Sequence, residues 1–131
     1  MVSEAIKQEV PTLPKVALIV EFYEKFRVRD MSLVELMNDA FEFNGQKHPI
    51  MPHEEILQTK LAFLNWSKVY NTHFEHIAIT PTHFEAEGEG TVATLSVTYR
   101  DKSTDKVATI PTLHHWTFKE GKAAGLRVTG A

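Results

Sequence analysis

Two neighbouring histidines, His114 and His115, are the residues of this sequence best suited to proton chemistry. They lie in "LHHWTF", a stretch that alternates as a β-strand does, so their side chains point to opposite faces. If the aromatic residues that follow fill the core, parity places on the inner face Ile110, Thr112, His114, Trp116 and Phe118. His115 then points outward, towards solvent or a dimer partner.

The inward histidine, His114, has two interpretations. An imidazole with an ordinary pKa of about 6.5 can donate a hydrogen bond to a ligand or act as an acid or base near neutral pH. The alternative is a buried histidine that bonds to the backbone or to a pocket water.

The spacing of the other histidines and of the serines does not favour a metal site or a catalytic nucleophile. There are seven histidines, but His73 and His76 fall on opposite faces of a strand, and "HEEIL" at His53 lacks the second histidine of a zinc-protease helix. The chain has no cysteine, which excludes disulfides and thiolate ligands. No serine lies in an elbow such as G-x-S-x-G. We therefore expect no metal site.

The length and the charge of the chain limit which classes of protein it can belong to. A chain of 131 residues is expected to form one domain, residues 1–131, with residues 1–11 as a flexible arm. Fourteen basic and 17 acidic side chains, a net charge of −3, argue against a nucleic-acid partner. The longest apolar run, Val16–Val20, is too short for a membrane span, and the first residues lack the apolar region of a signal peptide. A cytoplasmic protein is the expectation.

Helical spacing dominates the first third of the chain. After Thr12 and Pro14, apolar residues at helical spacing predict a first helix that contains Val16, Ile19, Val20, Phe22, Tyr23 and Phe26. Asp30 or Ser32 can cap a short second helix, which carries Leu33, Leu36 and Met37.

A short strand and a third helix are predicted next. The stretch "AFEFN" alternates and is followed by a turn signal at Asn44-Gly45. Prolines 49 and 52 precede the third helix, which has Glu54 and Glu55 in its first turn and contains Phe63 and Trp66.

From His73 onward the apolar pattern has a period of two. It predicts strands separated by turns at Gly88–Gly90, Asp101–Asp105 and Glu120-Gly121, with one strand bent at Pro81. Helices followed by a meander of strands indicate an α+β protein.

Three stretches carry a family resemblance: "IVEFYEKFRVRDMSLVELM", "AFEFNG" and "HHWTFKEGKAAGLRV". The chain resembles the nuclear transport factor 2-like superfamily and, within it, the SnoaL-like polyketide cyclases and ketosteroid isomerases. The resemblance implies a cone-shaped, cystatin-like fold, in which three N-terminal helices pack on a curved, mixed, mostly antiparallel sheet around an apolar cavity. It also implies a homodimer through the outer sheet face, and no cofactor.

The resemblance also implies site residues. His114 occupies the position of the protonated aspartic acid that bonds the oxyanion in ketosteroid isomerases, and Tyr23, or Phe22 in the alternative register, that of their helix-1 tyrosine. Asn44 stands where they carry the proton-shuttling carboxylate, and a carboxamide cannot shuttle protons, which argues against steroid isomerase chemistry. Asn44 can instead orient a ligand, or serve as a left-handed turn residue before Gly45.

Two function classes follow. In the first, an apolar pocket binds a small hydrophobic ligand with a carbonyl or hydroxyl group. In the second, a cofactor-independent cyclase, dehydratase or isomerase uses His114 as acid or base while Tyr23 or Asn44 polarises a carbonyl. An inward Glu42, on the face of Asn44, would favour the enzyme. The expected pocket residues, which are core residues if the cone is filled, are Phe22, Glu42, Phe63, Trp66, Ile110, Thr112, Trp116 and Phe118. A purely structural or protein-interaction role is the third possibility.

Overall fold

The structure, a computed structural model, describes residues 13–47, 51 and 53–130. The predicted arm, residues 1–11, lies outside the described residues. The helices are α1 (Leu13–Arg27), a 3₁₀ helix (Met31–Leu36) and α2 (Lys60–His73). The strands are β1 (Met37–Gly45), β2 (Glu55–Leu57), β3 (Phe74–Glu87), β4 (Gly90–Asp101), β5 (Lys106–Lys119) and β6 (Lys122–Gly130).

The strands form one mixed sheet in the order β2-β1-β6-β5-β4-β3. β1 and β6 are parallel, and the other neighbours are antiparallel. This is the predicted α+β arrangement with a mostly antiparallel sheet.

The second and third predicted helices differ from expectation. The second is a six-residue 3₁₀ helix, capped by the Asp30 side chain, which accepts from the Ser32 N–H. The third begins only at Lys60, where the Thr59 hydroxyl accepts from the Ala62 N–H. The expectation that Glu54 and Glu55 occupy its first turn is wrong, because Glu55 starts β2 and pairs with Gly45 of β1.

Asn44 lies within a strand that pairs with a neighbouring strand on each side, and not in a turn. β1 extends to Gly45, and Asn44 pairs with Ile56 of β2 and Arg127 of β6. Asn44 is not among the described residues with positive φ. The interpretation of Asn44 as a left-handed turn residue is therefore wrong, because two neighbouring strands hold it extended.

The back half follows the predicted pattern closely. β3 runs through Pro81 as one strand, with an irregularity in pairing between Pro81 and His83. The predicted turns contain the left-handed residues Gly88, Asp105, Glu120 and Gly121. The last two form the two-residue connection of the β5–β6 hairpin.

The core lies on one face of the sheet. Alternate residues of β4 are buried there, namely Thr91, Ala93, Leu95, Val97 and Tyr99. Phe22 of α1 and Phe63 of α2 belong to the same core cluster, so both helices pack on this face. The intervening β4 residues, such as Thr94 and Ser96, are half-buried on the outer face.

Gly90 marks a close approach of β4 to β5. A Cβ at Gly90 would lie 2.2 Å from the backbone oxygen of Trp116, whereas one at Gly130 would meet nothing within 4 Å. Because a strand carbonyl cannot move aside alone, Gly90→Ala is expected to lower the free energy of unfolding by about 1–3 kcal/mol. Urea unfolding measures the change, with Gly130→Ala as the control. Equal midpoints for the two variants would contradict the close approach.

Candidate functional site

A cavity of about 70 Å³ lies between the two α-helices and the inner face of the sheet. Spacings of three and four residues place several rings of each helix on one face. The aromatic part of its wall consists of Phe22, Tyr23 and Phe26 from α1, Phe63, Trp66 and Tyr70 from α2, and Phe43 from β1. The strands add mainly aliphatic residues, together with Thr112, His114 and His76.

The first polar cluster of the wall joins α1 to β5 through the Tyr23 hydroxyl. Its oxygen lies 2.8 Å from Nδ1 of His114, and the Trp116 indole Nε1–H donates to it over 3.0 Å. Burial raises the pKa of Tyr23, against the opposing effect of the Trp116 hydrogen bond, so the hydroxyl keeps its hydrogen at neutral pH. The hydroxyl can donate to Nδ1 of His114 or accept from an Nδ1–H, according to the tautomer of the imidazole.

A second tyrosine–histidine pair lies in the same wall. The Tyr70 hydroxyl is 2.9 Å from Nε2 of His76, and the His76 ring also packs 5.4 Å from the Phe26 ring. Burial, and then the charge of Arg29, lowers the pKa of His76 to about 4, so this imidazole is neutral at pH 7. A neutral imidazole in an apolar wall can accept or donate one proton.

Sequence reasoning missed this second pair. From the spacing, His76 was weighed only as a metal ligand, and Tyr70 was not selected. The signal was present in the spacing, because Tyr70 is four and seven residues after Trp66 and Phe63, and His76 is two residues after the buried Phe74. Neither spacing alone shows that the two side chains meet.

Thr112 lies on β5, between β4 and β6 in the sheet, and adds a hydroxyl to the cavity wall. The residue is 2% exposed, and its Oγ1 has no hydrogen-bond partner within the described part of the protein. Thr91 is buried and unpartnered in the same way, but it is not part of the cavity wall. A buried hydroxyl without a partner costs about 1–3 kcal/mol, so Thr112 is suited to bond a molecule in the cavity.

The cavity brings together six of the residues selected from the sequence: Phe22, Tyr23, Phe63, Trp66, Thr112 and His114. Trp116 is buried behind Tyr23, and its ring packs edge-on against Phe22 at 5.0 Å. Ile110 and Phe118 are half-buried against the core but outside the cavity wall. The wall therefore contains both Phe22 and Tyr23, and only Tyr23 supplies a hydroxyl.

Glu42 and Asn44 lie away from this cavity, which corrects the expectation that they share it with His114. Phe41 and Phe43, the neighbours of Glu42 in β1, are buried, so strand alternation turns Glu42 and Asn44 to the outer face. There they line a surface groove together with His115, whose ring nitrogens lie 3.4 Å from Glu87 and 3.3 Å from Thr129.

Within the described residues, no group of three histidine, aspartate or glutamate side chains is arranged to hold a metal ion. Across the same residues, no helix combines the length and apolar character that crossing a membrane requires.

Comparison with known proteins agrees with this fold. Residues 19–126 match the family model of the SnoaL-like domain. A search of curated proteins finds no significant match. The sequence resemblance to SnoaL-like and ketosteroid isomerase-like proteins is confirmed by the family match and by the solved structures that resemble this one.

Three solved structures illustrate the likeness. An NTF2-like protein of unknown function from Burkholderia pseudomallei is 18% identical, with a TM-score of 0.78 and 92% of each chain covered. TerC, co-crystallised with polyporic acid, is 19% identical, with a TM-score of 0.70 and coverage of 90% of this chain and 92% of its own. A Catenulispora acidiphila protein with a ketosteroid isomerase-like fold, in complex with trimethylamine, is 10% identical, with a TM-score of 0.73 and coverage of 87% and 85%. At these identities the likeness establishes the fold, which is NTF2-like.

The lowered pKa of His76, about 4 against an ordinary value near 6.5, makes stability depend on pH. Between these two values the unfolded chain binds a proton that the folded chain does not. The free energy of unfolding is therefore expected to fall as the pH drops from about 6.5 to about 4, by up to roughly 3 kcal/mol from this group.

Urea unfolding of His76→Gln across this pH range tests the effect. Glutamine keeps a hydrogen-bonding group near Tyr70 but does not titrate, so the variant should lose less stability on acidification than the parent protein. His73→Gln, at an exposed position, serves as the control. Identical pH profiles for His76→Gln and the parent would contradict a buried, neutral His76.

Proposed function

This chain belongs to the SnoaL-like domain family, and we propose that its cavity binds a small hydrophobic molecule that carries a carbonyl or hydroxyl group. Ligand pockets are typically apolar with a few placed polar groups, and this wall has that composition. The observation that carries the proposal is the Thr112 hydroxyl, which is buried in an otherwise mainly apolar wall and has no protein partner in the described chain.

The size of the cavity limits what it can enclose. An apolar cavity of roughly 150 Å³ holds a benzene ring, and this cavity has about half of that volume, about 70 Å³. In this conformation it suits a group the size of a methyl ketone or a small alcohol. A steroid-sized molecule would require the aromatic side chains of the wall to turn aside.

The polar groups of the wall support recognition of oxygen. The Thr112 hydroxyl can donate to a ligand carbonyl or accept from a ligand hydroxyl. The hydrogen bond between Tyr23 and His114 fixes the orientation of the His114 ring at the wall, and the Trp116 indole in turn holds the Tyr23 hydroxyl by donating to it. Because Thr112 and Tyr23 are uncharged and most of the wall is apolar, the cavity selects a neutral polar atom and disfavours a charge.

Binding is tested by titrating the protein with butan-2-one or propan-2-ol and observing the NMR signals of the two tryptophan indoles. Trp66 lines the cavity and Trp116 bonds to Tyr23, so both should respond. Thr112→Val should weaken binding of both probes about fivefold, the equivalent of one hydrogen bond of about 1 kcal/mol.

Two controls make the result specific. Xenon, which fills apolar cavities without hydrogen bonding, should bind equally to Thr112→Val and the parent. Thr91→Val removes an equally buried and unpartnered hydroxyl outside the cavity wall and should leave binding of every probe unchanged. If butan-2-one does not bind, or if Thr91→Val weakens it as much as Thr112→Val does, the proposal is wrong.

A second candidate function is a cofactor-independent cyclase, dehydratase or isomerase. The observation that favours it is His76, a second titratable group in the cavity wall in place of the expected Glu42. In such an enzyme His114 would act as acid or base, Tyr23 would polarise a carbonyl, and the neutral His76 would accept a proton. Chemical change of a bound ketone, such as exchange of its α-hydrogens for deuterium, distinguishes catalysis from binding alone.

We also propose that two copies of the chain pair through the outer sheet face. The half-buried side chains Val92, Thr94, Leu113 and His115 on that face support it, since they offer a mixed apolar and polar surface. Leu113→Lys should convert a dimer to a monomer in light scattering after size exclusion, whereas Val69→Lys, at an exposed position of α2, should not. A monomeric parent protein would overturn this assembly.

A further inference from the structure

A second hollow, of about 480 Å³, opens beside the cavity at the end of the molecule where α1 and α2 both terminate. Phe26 and His76 belong to the walls of both hollows. Four cationic side chains and one carboxylate line the second hollow: Arg27, Arg29, Arg100, Lys102 and Glu75. We call it the basic cleft. Its positive charge contrasts with the net charge of −3 of the whole chain.

Two of the four cations already have carboxylate partners. Arg27 pairs with Glu24 at 2.6 Å, and Arg100 pairs with Glu75 and Asp105, both at 2.8 Å. These pairs leave little of either charge for a ligand.

Arg29 and Lys102 are placed differently. Both donate to the backbone oxygen of Asn71 near the end of α2, over 3.2 and 2.8 Å. Neither takes part in any ion pair between described residues. The C-terminal ends of α1 and α2 together supply about one elementary negative charge, against two cations. Arg29 and Lys102 are therefore the two cations of the basic cleft that can still pair with an incoming anion.

The backbone at Arg29 supports a specific use for this side chain. Arg29 has a φ of 61° and directly follows α1, a position where glycine is usually found. A left-handed conformation costs a non-glycine residue about 1 kcal/mol. The chain therefore retains an arginine at this point despite a local cost.

The positive potential extends to the boundary with the cavity. The pKa of the Glu75 carboxyl is lowered, first by the hydrogen bond from Arg100 and then by the charges of Arg100, Lys102 and Arg29. Next to it, His76 remains neutral and forms part of the shared wall. The arrangement is thus a mainly apolar hollow beside a polar hollow in which two cations have no ion-pair partner among the described residues.

We propose that the basic cleft holds the carboxylate of an organic acid whose carbonyl-bearing apolar end occupies the cavity. The proposal rests on the proposed function and deepens it by defining the ligand class as oxo- or hydroxycarboxylic acids. Arginine and lysine together suit a carboxylate, because both can donate charge-assisted hydrogen bonds to its oxygens. The cavity has room only for the end of such a molecule, and the cleft has room for the remainder.

The test uses methyl-ketone carboxylates from 4-oxopentanoate to 7-oxooctanoate, each compared with its neutral primary amide in NMR titrations at low salt. One chain length should bind best, because the cavity and the cleft are a fixed distance apart. At that length the carboxylate should bind about tenfold more tightly than the amide, and the advantage should shrink as salt is added.

Variants locate the charge. Two variants each remove one of these charges: Lys102→Gln and Arg29→Asn. Asparagine is chosen at position 29 because it tolerates the left-handed backbone. Each variant should weaken carboxylate binding about threefold to tenfold and leave amide binding unchanged. Lys119→Gln removes the same charge from an exposed position at the far end of β5 and should change neither. Circular dichroism and urea unfolding verify that each variant is folded.

The outcomes separate this proposal from the one it rests on. If the amides bind, Thr112→Val weakens them and the carboxylates show no advantage, the cavity function stands and the carboxylate proposal is wrong. Equal losses of carboxylate affinity in Lys119→Gln and Lys102→Gln would also overturn it, since the effect would then come from net charge. If neither form of any length binds while butan-2-one does, the cavity function stands and the carboxylate proposal is wrong. If butan-2-one also fails to bind, both proposals are wrong.

Discussion

The geometry of the candidate site depends on one oxygen atom, that of the Tyr23 hydroxyl. It accepts from the Trp116 indole and lies in hydrogen-bonding contact with His114, so a single group of α1 fixes two side chains of β5. The alternatives would leave an indole N–H or an imidazole nitrogen unpaired in an apolar interior, at a cost of about 1–3 kcal/mol each. This cost holds the helix, and with it Phe22 and Phe26, at a defined height over the sheet.

The same constraint determines the chemical character of the cavity. Because the surrounding rings exclude water, charges are disfavoured there, and the polar groups of the wall are best accommodated as neutral hydrogen-bonding groups. His76 demonstrates this, since burial lowers its pKa to about 4 even though Tyr70 offers it a hydrogen bond. Any chemistry in this cavity would use transfer of a proton between neutral partners, and a permanent charge on a ligand would have to stay outside.

Much of the fold could be predicted from the sequence because the informative patterns are local. Turn residues defined the hairpins of β3 to β6, and period-two alternation in "LHHWTF" separated His114 from His115 on the two faces. The contribution of Thr112 followed from the same parity. These features depend only on neighbours along the chain.

The errors arose where partners are distant in sequence or where the resemblance was given more weight than the pattern. β2 is only three residues long and forms by pairing with the edge of β1. Three residues show no period-two pattern of their own, and the segment from Glu54 was therefore assigned to a helix. For Glu42 and Asn44, alternation with Phe41 and Phe43 already indicated the outer face, and the alignment to isomerases suggested the opposite. The Tyr70–His76 pair could not be recognised, because a helix and a strand each supplied one unremarkable residue.

The separation of the two hollows follows from the cost of burying charge. Moving a carboxylate into an apolar interior costs several kcal/mol even after relaxation, more than a hydrogen bond from Thr112 or histidine returns. At the basic cleft a carboxylate keeps part of its hydration and meets Arg29 and Lys102. A molecule with both an acid group and a ketone would therefore have one favourable orientation across the Phe26–His76 wall, with the ketone inward. In that orientation the carbonyl carbon and its α-hydrogens lie in the same small hollow as His76 and His114.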